Sequence, residues 1–130
     1  MKIAVPSIDH RGLESEIAHH FGRAPYYTIV HVKNGEIVNV EVVRQPFQQH
    51  GPGDIPNFLK SLGVNVVIAY GMGPRAQGFF RSLGMEVITG ASGRVGEVVK
   101  NYLRGNLKAD ENWIFSDEFR LHDHGFSSVL

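Results

Sequence analysis

The sequence predicts an α/β domain: a mixed five-stranded sheet flanked by three helices. Three observations carry this. Two β-branched and aromatic runs, YYTIVHV and EIVNVEVV, are joined by Asn34-Gly35, the strongest short hairpin signal. From Ile55 onward the apolar spacing becomes that of helices alternating with short apolar runs. Finally, FLKSLGVNVVI is echoed by FFRSLGMEVI, the same unit of helix, glycine stop and strand used twice.

Taken in order, KIAVP is a short apolar run stopped by Pro6 and reads as a buried first strand. Residues 7–24 are polar and glycine-rich, a long connection with one helical turn expected around Glu14 to Ala18. The hairpin follows. Ile55, Phe58, Leu59 and Leu62 then lie at i, i+3, i+4 and i+7, an amphipathic helix ended by Gly63. VNVVIAY is apolar through its middle, as a strand covered on both faces must be. Ala76, Phe79, Phe80 and Leu83 repeat the helical spacing up to Gly84, and MEVIT is the fifth strand. Val95, Val98, Val99, Tyr102 and Leu103 form a third helix, ended by Gly105. A hairpin half is thus followed by a parallel half, with the first strand central, antiparallel to the second and parallel to the fourth and fifth. That is the ribonuclease H-like arrangement. The domain is expected over residues 1–107, with a tail over 108–130 in which ENWIFSDEF docks as an edge segment and His122 and His124 form a His-x-His pair.

Composition narrows the function. Thirteen basic residues balance thirteen acidic ones, so nothing marks a nucleic-acid surface. No apolar run approaches the roughly 20 residues of a membrane span. The first residues lack a signal peptide's apolar region and cleavage site, which gives the expectation of a cytoplasmic protein. There is no cysteine, so disulfides, thiolate nucleophiles and thiolate-held iron–sulfur clusters are excluded, and seven histidines remain as borderline ligands.

In this topology the segments after strands 1, 3, 4 and 5 emerge at one rim, the carboxyl end where open α/β sheets bind ligands. They hold His10, His19, His20 and His50, the guanidiniums of Arg23, Arg75 and Arg94, and glycines that include Gly22, Gly71, Gly73 and Gly93. Three of the segments run into helix N-termini, which favour anions. Pro74 suits a first helical position, and Ser92 suits an N-cap. The rim therefore offers amides, guanidiniums and imidazoles to an anionic guest, with or without a metal. Each feature has a plainer reading: glycine before a helix is often only a turn, adjacent His19 and His20 do not readily point the same way, and His31 is structural in mid-strand. GASGR lacks the lysine and spacing of a phosphate-binding loop.

SEIAHHFGRAPYYTIVHVKNGEI, HGPGDIPNFL, VVIAYGMGPRA and GASGRVGEVVKNYLRGNL together closely resemble the dinitrogenase iron–molybdenum cofactor biosynthesis family. That family includes NifX-type carriers, the C-terminal domain of the cofactor-assembly radical enzyme, and the orange protein with its molybdenum–copper sulfide cluster. The resemblance implies a ribonuclease H-like fold and transient, non-catalytic binding of an anionic metal–sulfur cluster (iron–molybdenum or molybdenum–copper sulfide). It implies cluster donor and acceptor proteins as partners. The motif falls here on Ser15, His20, Phe21, Gly22, Arg23, Ala24 and Pro25, which makes His20 and the turn's His50 the first ligand candidates. His19 is a further one, and His122 and His124 a divalent-metal clamp. Gly22, Arg23, Gly71, Gly73, Arg75, Ser92, Gly93 and Arg94 are the expected cluster-binding residues. A cluster brings its own sulfides, so its carrier needs an imidazole or two and balancing positive groups rather than thiolates.

The alternative is a metal-free sensor or adaptor holding an anionic small molecule at the same rim. A nuclease needs converging carboxylates, and strand 1 leads only to Asp9. An exposed edge strand, or Trp113 and Phe115, would serve a homodimer. Two outcomes are expected. Incubation with an RNA–DNA hybrid and Mg²⁺ or Mn²⁺ gives no cleavage. Deletion of residues 120–130 removes weak nickel, zinc or copper binding in equilibrium dialysis and leaves the rim site intact; loss of the rim site would make the tail part of it.

Overall fold

A computed structural model describes residues 1–49 and 51–115 of the chain. Its elements are β1 (Lys2–Ser7), β2 (Tyr26–Lys33), β3 (Glu36–Arg44), α1 (Asp54–Ser61), β4 (Val66–Ile68), α2 (Pro74–Ser82), β5 (Glu86–Ile88) and α3 (Val95–Leu103). They form one five-stranded sheet in the order β3-β2-β1-β4-β5. β1 is antiparallel to β2, and β2 to β3. β1 is parallel to β4, and β4 to β5. The mixed sheet and its three helices are those the sequence predicts.

The hairpin turns at Asn34 and Gly35, with φ of 54° and 77°, the left-handed pair that a tight two-residue turn requires. Period-two alternation then sorts the strands onto two faces. Ile3, Val5, Val30, Val66 and Ile68 pack with Val95 and Val99 of α3. Ala4, Tyr27, Ile29 and Val67 pack with Ile55 and Leu59 of α1 and Phe80 of α2. β1 and β4 are apolar on both sides because both sides are covered. Phe80 and Leu59 are fully buried, and each such side chain contributes about 1.5–3 kcal/mol by leaving water.

Two local expectations are corrected. The helical turn expected around Glu14 to Ala18 is instead a 3-10 turn at Gly12–Glu14, after which Glu16 and Ile17 are extended and bridge Arg94 and Ser7. Backbone pairing along the rim outweighs the weak helical propensity of so short a run. Among its described residues the tail forms no edge strand. Residues Glu111–Phe115 form a 3-10 turn, and Trp113 is buried. The Trp113 side chain packs within the chain. Residues 116–130, with His122 and His124, lie outside the described residues.

The turn docks through Gly90. The Asp110 amide donates to the Gly90 carbonyl at 2.7 Å, and Thr89 Oγ1 meets the Glu111 carboxylate at 3.1 Å. Trp113 Nε1 donates to the same carboxylate at 2.7 Å. Gly90 has φ +88°, and a Cβ there would stand 2.7 Å from the Asp110 nitrogen. Gly90→Ala therefore combines left-handed strain of about 1–2 kcal/mol with a backbone clash. We expect a melting temperature lower by several degrees and a red-shifted Trp113 emission. Unchanged emission would mean the turn docks without this contact.

Candidate functional site

The connection between β1 and β2 lies across the rim and is stitched to the others by backbone bonds. Ala18 N–H donates to Pro6 at 2.9 Å, and Ile17 N–H to Gly93 at 2.9 Å. Phe21 N–H donates to the Gly71 carbonyl at 3.1 Å, and Gly71 N–H returns a bond to His19 at 3.2 Å. One strip of chain thus touches the segments that lead into α2 and α3.

Phe21 anchors the strip. Its ring is buried, 5.3 Å from Tyr27 and edge-on to Phe80 at 5.3 Å. The backbone around it is clamped from below. Tyr27 Oη donates to the Phe21 carbonyl at 3.1 Å. Gln45 Nε2 donates to the Ala24 carbonyl at 2.6 Å and reaches that of Gly22 at 3.4 Å. Burial pushes the Tyr27 hydroxyl well above the usual tyrosine range, with the Gln45 hydrogen bond opposing, so it remains a donor at neutral pH. Residues Phe21–Arg23 form a 3-10 turn whose N-cap is His20, with Nδ1 accepting the Gly22 N–H at 3.1 Å.

This arrangement opens a cleft of about 310 Å³ between three connections. His20, Phe21 and Gly22 form one wall, Gly51, Pro52, Ile55 and Pro56 at the start of α1 another, and Met72, Gly73, Arg75 and Ala76 at the start of α2 the third. α2 begins on Gly73 as N-cap without a side-chain cap, with Pro74 at the first turn as expected. Pro74 has no N–H, so the first-turn donors there are the amides of Arg75 and Ala76. Among the described residues the lining holds the Arg75 guanidinium and the His20 imidazole and no carboxylate, against largely apolar walls. Asp54 is engaged nearby, accepting the Gly51 N–H at 2.8 Å.

The other expected residues are distributed along the rim. Arg23 lies in an adjoining groove of about 550 Å³ with Arg44, whose guanidinium sits 5.6 Å from the Tyr26 ring centre. Gly22 lines both. His19 faces away from His20. It stacks 5.0 Å from Tyr70 and lines a separate small cleft with Glu16 and Gly93. The Gly71 amide and carbonyl are both used by the strip. Arg94, not Ser92, is the N-cap residue of α3, without a side-chain cap bond; the Val95 N–H bonds instead to the Ser15 carbonyl at 2.8 Å. The backbone of the strip takes the place of a serine cap. Arg94 meets Glu14 at 3.8 Å, an exposed pair of little energetic weight. His50 lies outside the described residues; Gly51 and Pro52, which follow it, line the His20 cleft. His31 is within 2.9 Å of Glu41 on the neighbouring strand, short of hydrogen-bond geometry, and it keeps to the sheet.

Among the described residues no three of His, Asp and Glu converge as a group able to hold a bare metal ion. The described lining offers hydrogen-bond donors and positive charge, the groups an anion needs. The sequence reading passed over Tyr27, Gln45 and Met72. Met72 lay in plain view between two glycines, whereas nothing local in the sequence ties Gln45 to a loop more than twenty residues earlier.

A model of the dinitrogenase iron–molybdenum cofactor family matches residues 1–105. The uncharacterized protein MJ0580 of Methanocaldococcus jannaschii is 33% identical over 114 residues, 85% of this chain and 92% of its own. The crystal structure of PH0822 is 45% identical, covers 87% of this chain and 99% of its own, and superimposes with a TM-score of 0.81. The apo form of the orange protein from Desulfovibrio gigas has a TM-score of 0.71 over 84% of this chain and 92% of its own; at 23% identity it speaks to the fold alone. The match runs from the first residue through the end of α3, and the chain belongs to the dinitrogenase iron–molybdenum cofactor family.

Proposed function

We propose that this protein is a non-catalytic carrier that binds an anionic metal–sulfur cluster, or its precursor, in the His20 cleft and passes it from a donor to an acceptor protein. The observation that carries this reading is the composition of the cleft. Three connections meet around an imidazole and a guanidinium, with helix-start amides and, among the described residues, no carboxylate in the lining. A cluster of iron–molybdenum or molybdenum–copper sulfide type is negatively charged and carries its own sulfides. Such a guest gains from Arg75 and the α2 start. Its soft, weakly hydrated surface is compatible with walls of Phe21, Ile55 and Met72. Family membership supports a role in iron–molybdenum cofactor chemistry. The strand order supports reading the sheet as ribonuclease H-like. His50 stays a candidate contact, and His122 and His124 a candidate divalent-metal site.

The residues divide into those that meet the cargo and those that hold them there. His20, Arg75 and the amides at the start of α2 form the first set. Phe21, Tyr27 and Gln45 form the second, fixing the backbone on which His20 stands. Few contacts of moderate strength suit a carrier, since each additional bond slows release.

The direct test is anaerobic purification and reconstitution with tetrathiomolybdate, reading visible absorption and bound molybdenum, iron and copper. A coloured, metal-bearing protein is expected. A colourless protein that takes up no cluster but binds a phosphorylated metabolite would establish the metal-free adaptor instead. His20→Ala is expected to weaken retention about tenfold or more, the weight of a hydrogen bond to a charged partner, with folding intact by circular dichroism. Tyr27→Phe removes the hydroxyl under Phe21. We expect about 1 kcal/mol lost in urea unfolding, together with a smaller drop in retention. Because the Tyr27 value is raised in the folded state, its contribution is complete below the ordinary value of 10.0 and is lost only as pH rises through the higher folded one. The stability gap between wild type and Tyr27→Phe should be the same at pH 6 and pH 9; a gap that closes by pH 9 would contradict this.

A further inference from the structure

Glycine in a connection usually answers to the backbone. Gly35 and Gly90 have φ of 77° and 88°, values that L side chains rarely adopt, and a Cβ at Gly90 would strike Asp110. Gly73 is different. Its φ of −60° and ψ of 153° are ordinary extended values, those of a typical helix N-cap. A Cβ built there would meet no atom of the described residues within 4 Å. The Gln77 N–H donates to the Gly73 carbonyl at 3.2 Å, and Gln77 Nε2 donates to the Met72 carbonyl at 2.8 Å. The local backbone is thus held whatever side chain stands at 73. Serine and threonine suit an N-cap as well as glycine or better, and α2 has no side-chain cap.

Among the described residues, then, neither conformation nor packing asks for glycine at 73. The open space that Gly73 borders is the His20 cleft. Resting on the carrier reading above, we infer that Gly73 is the specificity-determining position of the cleft: the room its missing side chain leaves is where the guest lies against the backbone at the start of α2. Glycine serves this use wherever a ligand must approach the main chain closely.

At about 310 Å³ the cleft is at the small end of ligand pockets, which run from about 300 to 1,000 Å³, so one added side chain changes its shape. The guest class this selects is a broad anion, a metal surrounded by sulfides, seated across the wall between His20 and Arg75. A smaller anion held by those two side chains alone would tolerate a hydroxyl at 73.

The test compares Gly73→Ser and Gly73→Thr with wild type in the full chain, both hydroxyl residues being good N-caps. Tetrathiomolybdate affinity is read by equilibrium dialysis, and the stability of the unliganded protein by urea unfolding. Gly78→Ala is the control: Gly78 is exposed on α2, outside the cleft lining, and a Cβ there meets no described atom within 4 Å. Affinity is expected to fall about tenfold in Gly73→Thr, the weight of a moderate overpacking, and by less in Gly73→Ser. The urea midpoint of both should equal or exceed that of wild type, and Gly78→Ala should bind as wild type does. Full affinity in both Gly73 variants overturns the inference and leaves the carrier reading standing. A lowered urea midpoint in both does the same, because the fold itself would then need glycine at 73, and so does an equal loss of affinity in Gly78→Ala. Wild-type protein that takes up no tetrathiomolybdate overturns the carrier reading, and this inference with it.

Discussion

The site depends on one constraint: the long connection between β1 and β2 must lie flat across the carboxyl rim of the sheet. It does so because its backbone finds partners there. Ile17 bonds to Gly93, and Phe21 and Gly71 exchange bonds with each other's segment. Phe21 then drives its ring into the core beside Tyr27 and Phe80. A hydrophobic anchor therefore holds a polar loop, and the residues on either side of it, His20 and Gly22, are left lining the cleft.

The same constraint explains why the two adjacent histidines part ways. In an extended strip, neighbouring side chains face opposite sides. His20 turns toward the starts of α1 and α2, and His19 toward Tyr70 and Gly93. Only one imidazole of the pair reaches the cleft, and its ring is already tied to the Gly22 amide. Among the described residues the pocket offers one imidazole, one guanidinium and helix-start amides, and no three of His, Asp and Glu converge there. Those donors suit an anion held by a few contacts, as the proposed carrier role asks.

Much of this could be read from the residues. The hairpin at Asn34-Gly35, the repeated unit of helix, glycine and strand, and the doubly apolar β4 led to a mixed sheet with β1 central, and the strand order matches. The convergence of the connections followed from strand direction alone, and Pro74 at the start of α2 was legible from its missing N–H. What escaped was whatever depends on a contact distant in sequence. Ser92 looked like a cap until the Ser15 carbonyl took the amide it would have served. Residues near Glu14 looked weakly helical because nothing local announces a bridge to Arg94. Gln45 carries no signal at all; it matters only because the end of β3 lies beneath the loop.

The central claim is that the guest enters between the His20 strip and the starts of α1 and α2. The most direct measurement is backbone amide NMR during titration with tetrathiomolybdate. The account requires the largest shifts at Gly22, Gly51, Arg75 and Ala76, with Gly93 and the β3 edge little changed. Shifts concentrated at Gly93 and the start of α3, or along β3, would place the guest elsewhere and contradict it.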